Sequence, residues 1–135
     1  HKGSMGSLLS ICGSYGMAGA EILSAKSALR TGVGLLRLLI LKSVYPIVAQ
    51  VVPEAVLLPV DNGNKPSFGM KNIDTINENV EKSKALLIGC GLSHNEDTES
   101  LVQYLVKNCK IPMVLDADLI STVYSLESHS YLPLP

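Results

Sequence analysis

The 135 residues are 47% hydrophobic and 17% charged, with a formal net charge of −1, the balance of an apolar globular chain of one-domain length rather than a disordered one. Lys and Arg are scattered without forming a basic face, so neither nucleic acid nor an anionic membrane surface is an expected partner. The longest apolar run, Val33 to Leu41, is broken by Gly34 and Arg37 and falls far short of a membrane span.

Along the chain, short apolar runs alternate with helical periods. Ser7–Cys12 reads as a first strand, followed by a glycine-rich turn and a helix to about Arg30, in which Ala18, Ile22, Ala25 and Leu29 form a buried stripe. Gly32 and Gly34 end that helix. Leu35–Ile40 is the expected second strand and Ala55–Leu58 the third. Between them Ser43–Gln50 is a short helix that accommodates Pro46 in its first turn. Asp61–Ser67 has the composition of a loop, and Ile73, Ile76 and Val80 mark the next helix. Ala85–Ile88 is the fourth strand, and Gly89-Cys-Gly91 turns away from it. Asp97–Asn108 is an amphipathic helix with Leu101, Val102, Leu105 and Val106 inward, Met113–Leu115 the fifth strand, and Asp116-Ala-Asp118 leads into a last helical piece. Continuous apolar strands separated by helices predict an α/β fold with a parallel sheet covered on both faces, without internal repeat or domain boundary.

Ligands of such a sheet gather at the carboxyl ends of its strands, where three segments stand out. Gly13-Ser-Tyr-Gly16-Met-Ala-Gly19-Ala20 lets the backbone approach a ligand, and the amides of the following helix suit a phosphate or pyrophosphate. Its spacing is G-x-x-G-x-x-G, neither a dinucleotide fingerprint nor a Walker A loop, and a tight strand-to-helix turn is an equal reading. Gly89-Cys-Gly91-Leu-Ser93 offers the same close approach, again with a tight loop as the alternative. Asp116 and Asp118 read first as a turn and a helix cap, and second as chemistry. Lys2 could set a cation near a phosphate or simply be solvated, while His94, His129, Glu54, Asp61 and Asp97 read as surface groups. Cys12, Cys90 and Cys109 are odd in number, lack zinc-ligand spacing and follow no secretory signal, so reduced thiols in a cytoplasmic protein and no metal site are expected.

Taken in order, the wording of these segments is more specific than any one of them. His1-Lys-Gly-Ser-Met-Gly6, Gly13-Ser-Tyr-Gly-Met-Ala-Gly-Ala20, Ala28-Leu-Arg-Thr-Gly-Val-Gly34, Ile88-Gly-Cys-Gly-Leu92 and Val114-Leu-Asp-Ala-Asp118 closely resemble the H-K-G-x-x-G, G-S-x-G-M-x-G-A, A-L-R-x-G-A-G-L, I-G-x-G-L-G and V-L-D-A-D segments of the NAD(P)H-hydrate dehydratases. The resemblance implies a ribokinase-like three-layer α/β/α fold and repair of hydrated NADH or NADPH, with ADP or ATP as phosphoryl donor and Mg²⁺ as its expected companion. It implies Ala20 and Gly91 as contacts to the hydrated dinucleotide, with Gly13, Ser14, Gly16, Gly19 and Gly89 shaping the loops around it. Asp116 and Asp118 would organise the cleft.

The departures set further expectations. Cys12 replaces the family's glycine before G-S, and the family's T-P-H-P-G-E and A-G-x-G-D segments, which carry a substrate-contacting His and the catalytic Asp, have no match here. Residues 1–135 are therefore expected to be a truncated part of such a domain, with residues missing before His1, no catalytic residue and no activity alone. Its expected partner is a second copy or a complementary C-terminal half. A non-catalytic dinucleotide-binding or complementing half-domain and a small-molecule kinase of the same superfamily are the alternatives.

Overall fold

In the computed structural model, which describes residues 6–116 and Leu119, every expected apolar run becomes a strand of one sheet. The elements run β1 (Ser7–Ile11), α1 (Ala18–Arg30), β2 (Leu35–Leu41), α2 (Tyr45–Ala49), β3 (Val56–Val60), α3 (Ile73–Val80), β4 (Ala85–Ile88), α4 (Glu96–Asn108) and β5 (Met113–Leu115). Among the described residues the strands lie in the order β3-β2-β1-β4-β5, all parallel. Strand β1 is central, with Leu9 opposite Arg37 on one side and Leu86 on the other. Buried Leu36, Leu38 and Ile40 alternate with buried Leu39 and Leu41, so β2 is apolar on both faces, as a strand between helices requires, while on β1 buried Leu9 and Ile11 alternate with Leu8 and the buried Ser10.

Right-handed crossovers put helices on opposite faces when the strand order reverses. Chain progress runs from β1 outward to β3, then returns across the sheet to β4, so α1 and α2 cover one face and α3 and α4 the other. Helix α1 touches α2, while Asn77 of α3 donates to Tyr104 Oη of α4 at 3.4 Å. The expected three-layer arrangement is thus present.

Local chemistry explains the boundaries. Helix α1 ends in a Schellman motif: Gly32 N–H donates to Leu29 O at 3.2 Å and Val33 N–H to Ala28 O at 3.4 Å, with Gly32 at φ +95°. Pro46 sits in the first turn of α2, where its missing amide costs nothing. Asn95 caps α4 by accepting the Thr98 amide at 2.9 Å.

Several expectations are shifted. Strand β1 stops one residue before Cys12, β2 continues to Leu41, β3 moves to Val56–Val60, and a 3-10 turn, Met70–Asn72, precedes α3. The buried stripe of α1 runs through Glu21 and Ala25, whereas Ala18, Ile22 and Leu29 are only partly buried. Coverage is incomplete at the edge, since Val114 on β5 is 60% exposed. Lys2, Asp118 and His129 lie outside the described residues.

The Asp61–Ser67 loop is irregular, as its composition suggests, yet well held. Asn62 is buried and donates to Lys65 O at 2.6 Å and to Ser67 O at 3.0 Å. Ser67 Oγ accepts from Asn95 Nδ2 at 2.6 Å, and Thr98 Oγ1 donates to Phe68 O at 2.5 Å. Asp97 is also more than a surface charge: its carboxylate accepts the Met70 amide at 3.1 Å and pairs with Lys65 at 3.5 Å. A Cβ on Gly69 would collide with it.

Candidate functional site

The strand order reverses between β1 and β4, and the crevice outside their carboxyl ends is where an open sheet receives a ligand. Both glycine-bearing loops open there, and the structure stitches them together. Gly13 N–H donates to Cys90 O at 2.7 Å, Ser14 Oγ donates to Gly91 O at 2.8 Å, and Ser14 Oγ lies 2.8 Å from Ser93 Oγ. Ser14 is fully buried by these bonds, so it shapes the loop and leaves little for a ligand.

Ala20 and Gly91, singled out separately in the sequence, touch. A Cβ on Gly91 would fall 2.5 Å from Ala20 Cβ and 3.3 Å from Met17 O, and φ at Gly91 is +67°. Only glycine permits both the backbone conformation and the approach of α1. At the start of α1, Met17 occupies the N-cap and supplies no side-chain hydrogen bond, while its carbonyl already accepts the Ala20 amide at 3.3 Å. The first amides of a helix have no partner within it, and the helix dipole makes that end attractive to an anion. Gly16 and Gly19 are exposed at this rim, and Tyr15 stands 72% exposed beside them.

One strand further on, Gly89 brings β5 close. Its hypothetical Cβ would lie 2.9 Å from Asp116 Cβ, and φ there is +127°. The Asp116 amide donates to Ile88 O at 3.1 Å. Asp116 therefore sits at the edge of the crevice, next to Gly89 and a strand away from the Ala20–Gly91 contact.

Beneath the crevice lies a buried polar group that was not among the expected site residues. Glu21 is fully buried; its Oε1 receives a long 3.5 Å hydrogen bond from Ser10 Oγ, and its Oε2 has no partner. Burial first, and then the charge of the Cys90 sulfur, raise its carboxyl well above the usual carboxylate range. The Cys12 thiol is pushed far up by its hydrogen bond with Cys90, by burial and by Glu21. Burial thus favours the protonated form of both groups, and no disulfide links the cysteines. Glu21 falls four residues before Ala25 on the buried stripe, the spacing that could have revealed it.

Ser93 closes the second glycine-bearing segment. It adopts φ +75° at the place where the I-G-x-G-L-G wording ends in glycine. On the other side of the glycine loop, over the ends of β2 and β3, a cavity of about 670 Å³ is lined by Tyr15, Lys42, Ser43, Asp61, Asn64 and Lys65, among others. No pattern in the sequence marked it. Among the described residues no three His, Cys, Asp or Glu side chains gather to hold a metal ion, and none of the described helices is long and apolar enough to cross a membrane.

Comparison with known proteins bears on these loops as a set. A family model described as NAD(P)H-hydrate dehydratase matches residues 8–132. The bifunctional NAD(P)H-hydrate repair enzyme Nnr of Dictyoglomus turgidum is 37% identical over 126 residues, covering 91% of this chain but 24% of the relative. The ADP/ATP-dependent NAD(P)H-hydrate dehydratase of Bacillus subtilis, co-crystallised with ATP and Mg²⁺, superposes with a TM-score of 0.64 at 27% identity, over 87% of this chain and 39% of that one. A ribokinase-like superfamily protein of Enterococcus faecalis V583 superposes with a TM-score of 0.73 at 20% identity, over 99% of this chain and 43% of that one. The fold is therefore ribokinase-like, and the chain spans about a quarter to two fifths of the length of these proteins.

Proposed function

The chain belongs to the NAD(P)H-hydrate dehydratase family, and we propose that it supplies the part of such an enzyme that holds the hydrated nicotinamide dinucleotide. The observation that carries this reading is the Ala20–Gly91 contact. Two segments 71 residues apart, each bearing family wording, meet at the switch point of the sheet with glycine required at the junction. Backbone amides at the start of α1 would receive the dinucleotide's phosphates. The loops after β1 and β4, fixed by the Ser14 bonds, would hold the ligand's backbone-facing side without a charged side chain. Asp116 would border the same crevice, with Gly16 and Gly19 at its rim.

In the proposed reaction the nucleotide phosphorylates the hydroxyl that hydration added to the nicotinamide ring, and the phosphate then leaves. Hydrated NAD(P)H and ATP thus become NAD(P)H, ADP and phosphate. Such transfer depends on positioning and electrostatics more than on covalent chemistry by the protein. The described residues supply the positioning of one reactant. They do not supply a carboxylate cluster for Mg²⁺, and ADP or ATP would be held by parts of the enzyme outside them. The reading places the chain with the nicotinamide pool of the cytoplasm.

Calorimetric titration of the chain with hydrated NADH tests the reading, alongside recovery of NADH absorbance in the presence of ADP or ATP. Saturable binding without recovery is expected from the chain alone. Absence of binding would remove the reading. Recovery by the chain alone would overturn the division of labour.

A further inference from the structure

The cavity beside the glycine loop is not used by the function proposed above, and its position is informative. Lys42 and Ser43 follow directly on β2, and the Lys42 amide donates to Val60 O at 3.0 Å, which fixes where that side chain starts. Lys65 enters from the loop after β3, whose Asn62 bonds to Lys65 O and Ser67 O hold it in place. The same wall is tied to the glycine loop by the Tyr15 amide, which donates to Pro66 O at 2.8 Å. Cavity and crevice are therefore neighbours in one surface.

Its charge has one dominant sign. Two ammonium groups, of Lys42 and Lys65, line it against the single carboxylate of Asp61. Asp61 Oδ1 already accepts the Gly63 amide at 2.9 Å, and Lys65 is shared with Asp97 at 3.5 Å. A third ammonium, of Lys71, lies behind the loop near Gly63. Ser43 and Asn64 add neutral hydrogen-bonding groups to the lining.

A dinucleotide whose phosphates rest on the first helix of an open parallel sheet straddles the switch point. Its adenosine ribose then reaches the end of the second strand. An acidic residue there receives a free 2′-hydroxyl, and a basic one accommodates a 2′-phosphate. Here that position is Lys42-Ser43. We infer that the cavity takes the adenosine 2′-phosphate of a phosphorylated nicotinamide dinucleotide, so that the chain favours the NADPH form over the NADH form. This rests on the crevice being a dinucleotide site.

NADPH and NADH themselves are suitable probes, since they share the adenosine halves of their hydrates. Calorimetry on the full chain at low ionic strength should give NADPH a tighter Kd by about tenfold or more, the factor expected of one or two charge-assisted hydrogen bonds. That gap should shrink as salt is raised. Lys42→Ala combined with Lys65→Ala should bring the two affinities together by weakening NADPH alone; both side chains are exposed, and circular dichroism checks that the variant folds. Equal affinities in the unaltered chain, or a preference that survives the double substitution, would overturn this inference and leave the dinucleotide site standing. If neither probe binds, the dinucleotide reading fails and this inference with it.

Discussion

Ser93 is, among the described residues, the one non-glycine with positive φ, at +75°. A side chain in that region costs ~1–2 kcal/mol relative to ordinary backbone, and here the hydroxyl partly offsets it through its contact with Ser14 Oγ at 2.8 Å. Two substitutions separate the terms. Ser93→Ala loses the hydrogen bond and keeps the strain, whereas Ser93→Gly loses the bond and relieves the strain. Urea unfolding should place Ser93→Gly above Ser93→Ala by about 1 kcal/mol; equal stabilities would mean that the loop does not strain its backbone. Glu21 makes a different residue-scale prediction. Burial raises its carboxyl well above the usual carboxylate range in the folded chain, while in the unfolded chain it ionises normally. Its contribution is therefore fully present below the unfolded value and is lost as pH rises from there toward the folded one, at up to about 1.4 kcal/mol per pH unit. Glu21→Gln cannot ionise, so its stability relative to the unaltered chain should improve as pH rises above the usual carboxylate range. Parallel pH profiles would show that Glu21 ionises freely in the native state.

Between elements, the decisive contact is that of α1 with the loop after β4. Gly91→Ala would set a methyl group 2.5 Å from Ala20 Cβ, so α1 or the loop must move. Overpacking of this kind costs about 1–3 kcal/mol, with the positive φ adding to it. Ala20→Gly should return the steric part but not the backbone part. A double-mutant cycle by thermal unfolding is therefore expected to give a coupling of about 1 kcal/mol or more, and strict additivity would deny the contact. This is also where legibility in the sequence stops. The glycines after β1 and β4 announced close approach and family wording named Ala20 and Gly91, but spacing could not show that they approach each other. Lys42 and Lys65, 23 residues apart, share a cavity because β2 and β3 are neighbours. Neither fact is local. Glu21 was masked for the opposite reason: a charged residue on a helix ordinarily faces water, and the crowding of β1 and β4 beneath α1 decides otherwise.

At the scale of the whole molecule, hydrophobic periodicity revealed the alternation of strand and helix, and hence a parallel sheet, because buried strands have no polar face. The order of the strands was not legible, since each run is equally apolar and only the crossover reversal after β3 puts β1 at the centre. That order predicts how stability is distributed. Leu9 lies on β1, fully buried, with paired strands on both sides; Val114 lies on β5, 60% exposed, with β4 on one side. Leu9→Ala should cost about 2–5 kcal/mol, the range for a buried leucine whose cavity cannot collapse. That is a large share of the ~5–15 kcal/mol that holds a typical domain together. Val114→Ala should cost less than about 0.5 kcal/mol, as exposed positions do. Amide hydrogen exchange should show the same gradient, slowest at β1 and faster toward β5. If the two substitutions cost alike, or if β5 exchanges as slowly as β1, then β1 is not the centre of the sheet. The crevice between β1 and β4 would then lose the position that makes it a ligand site.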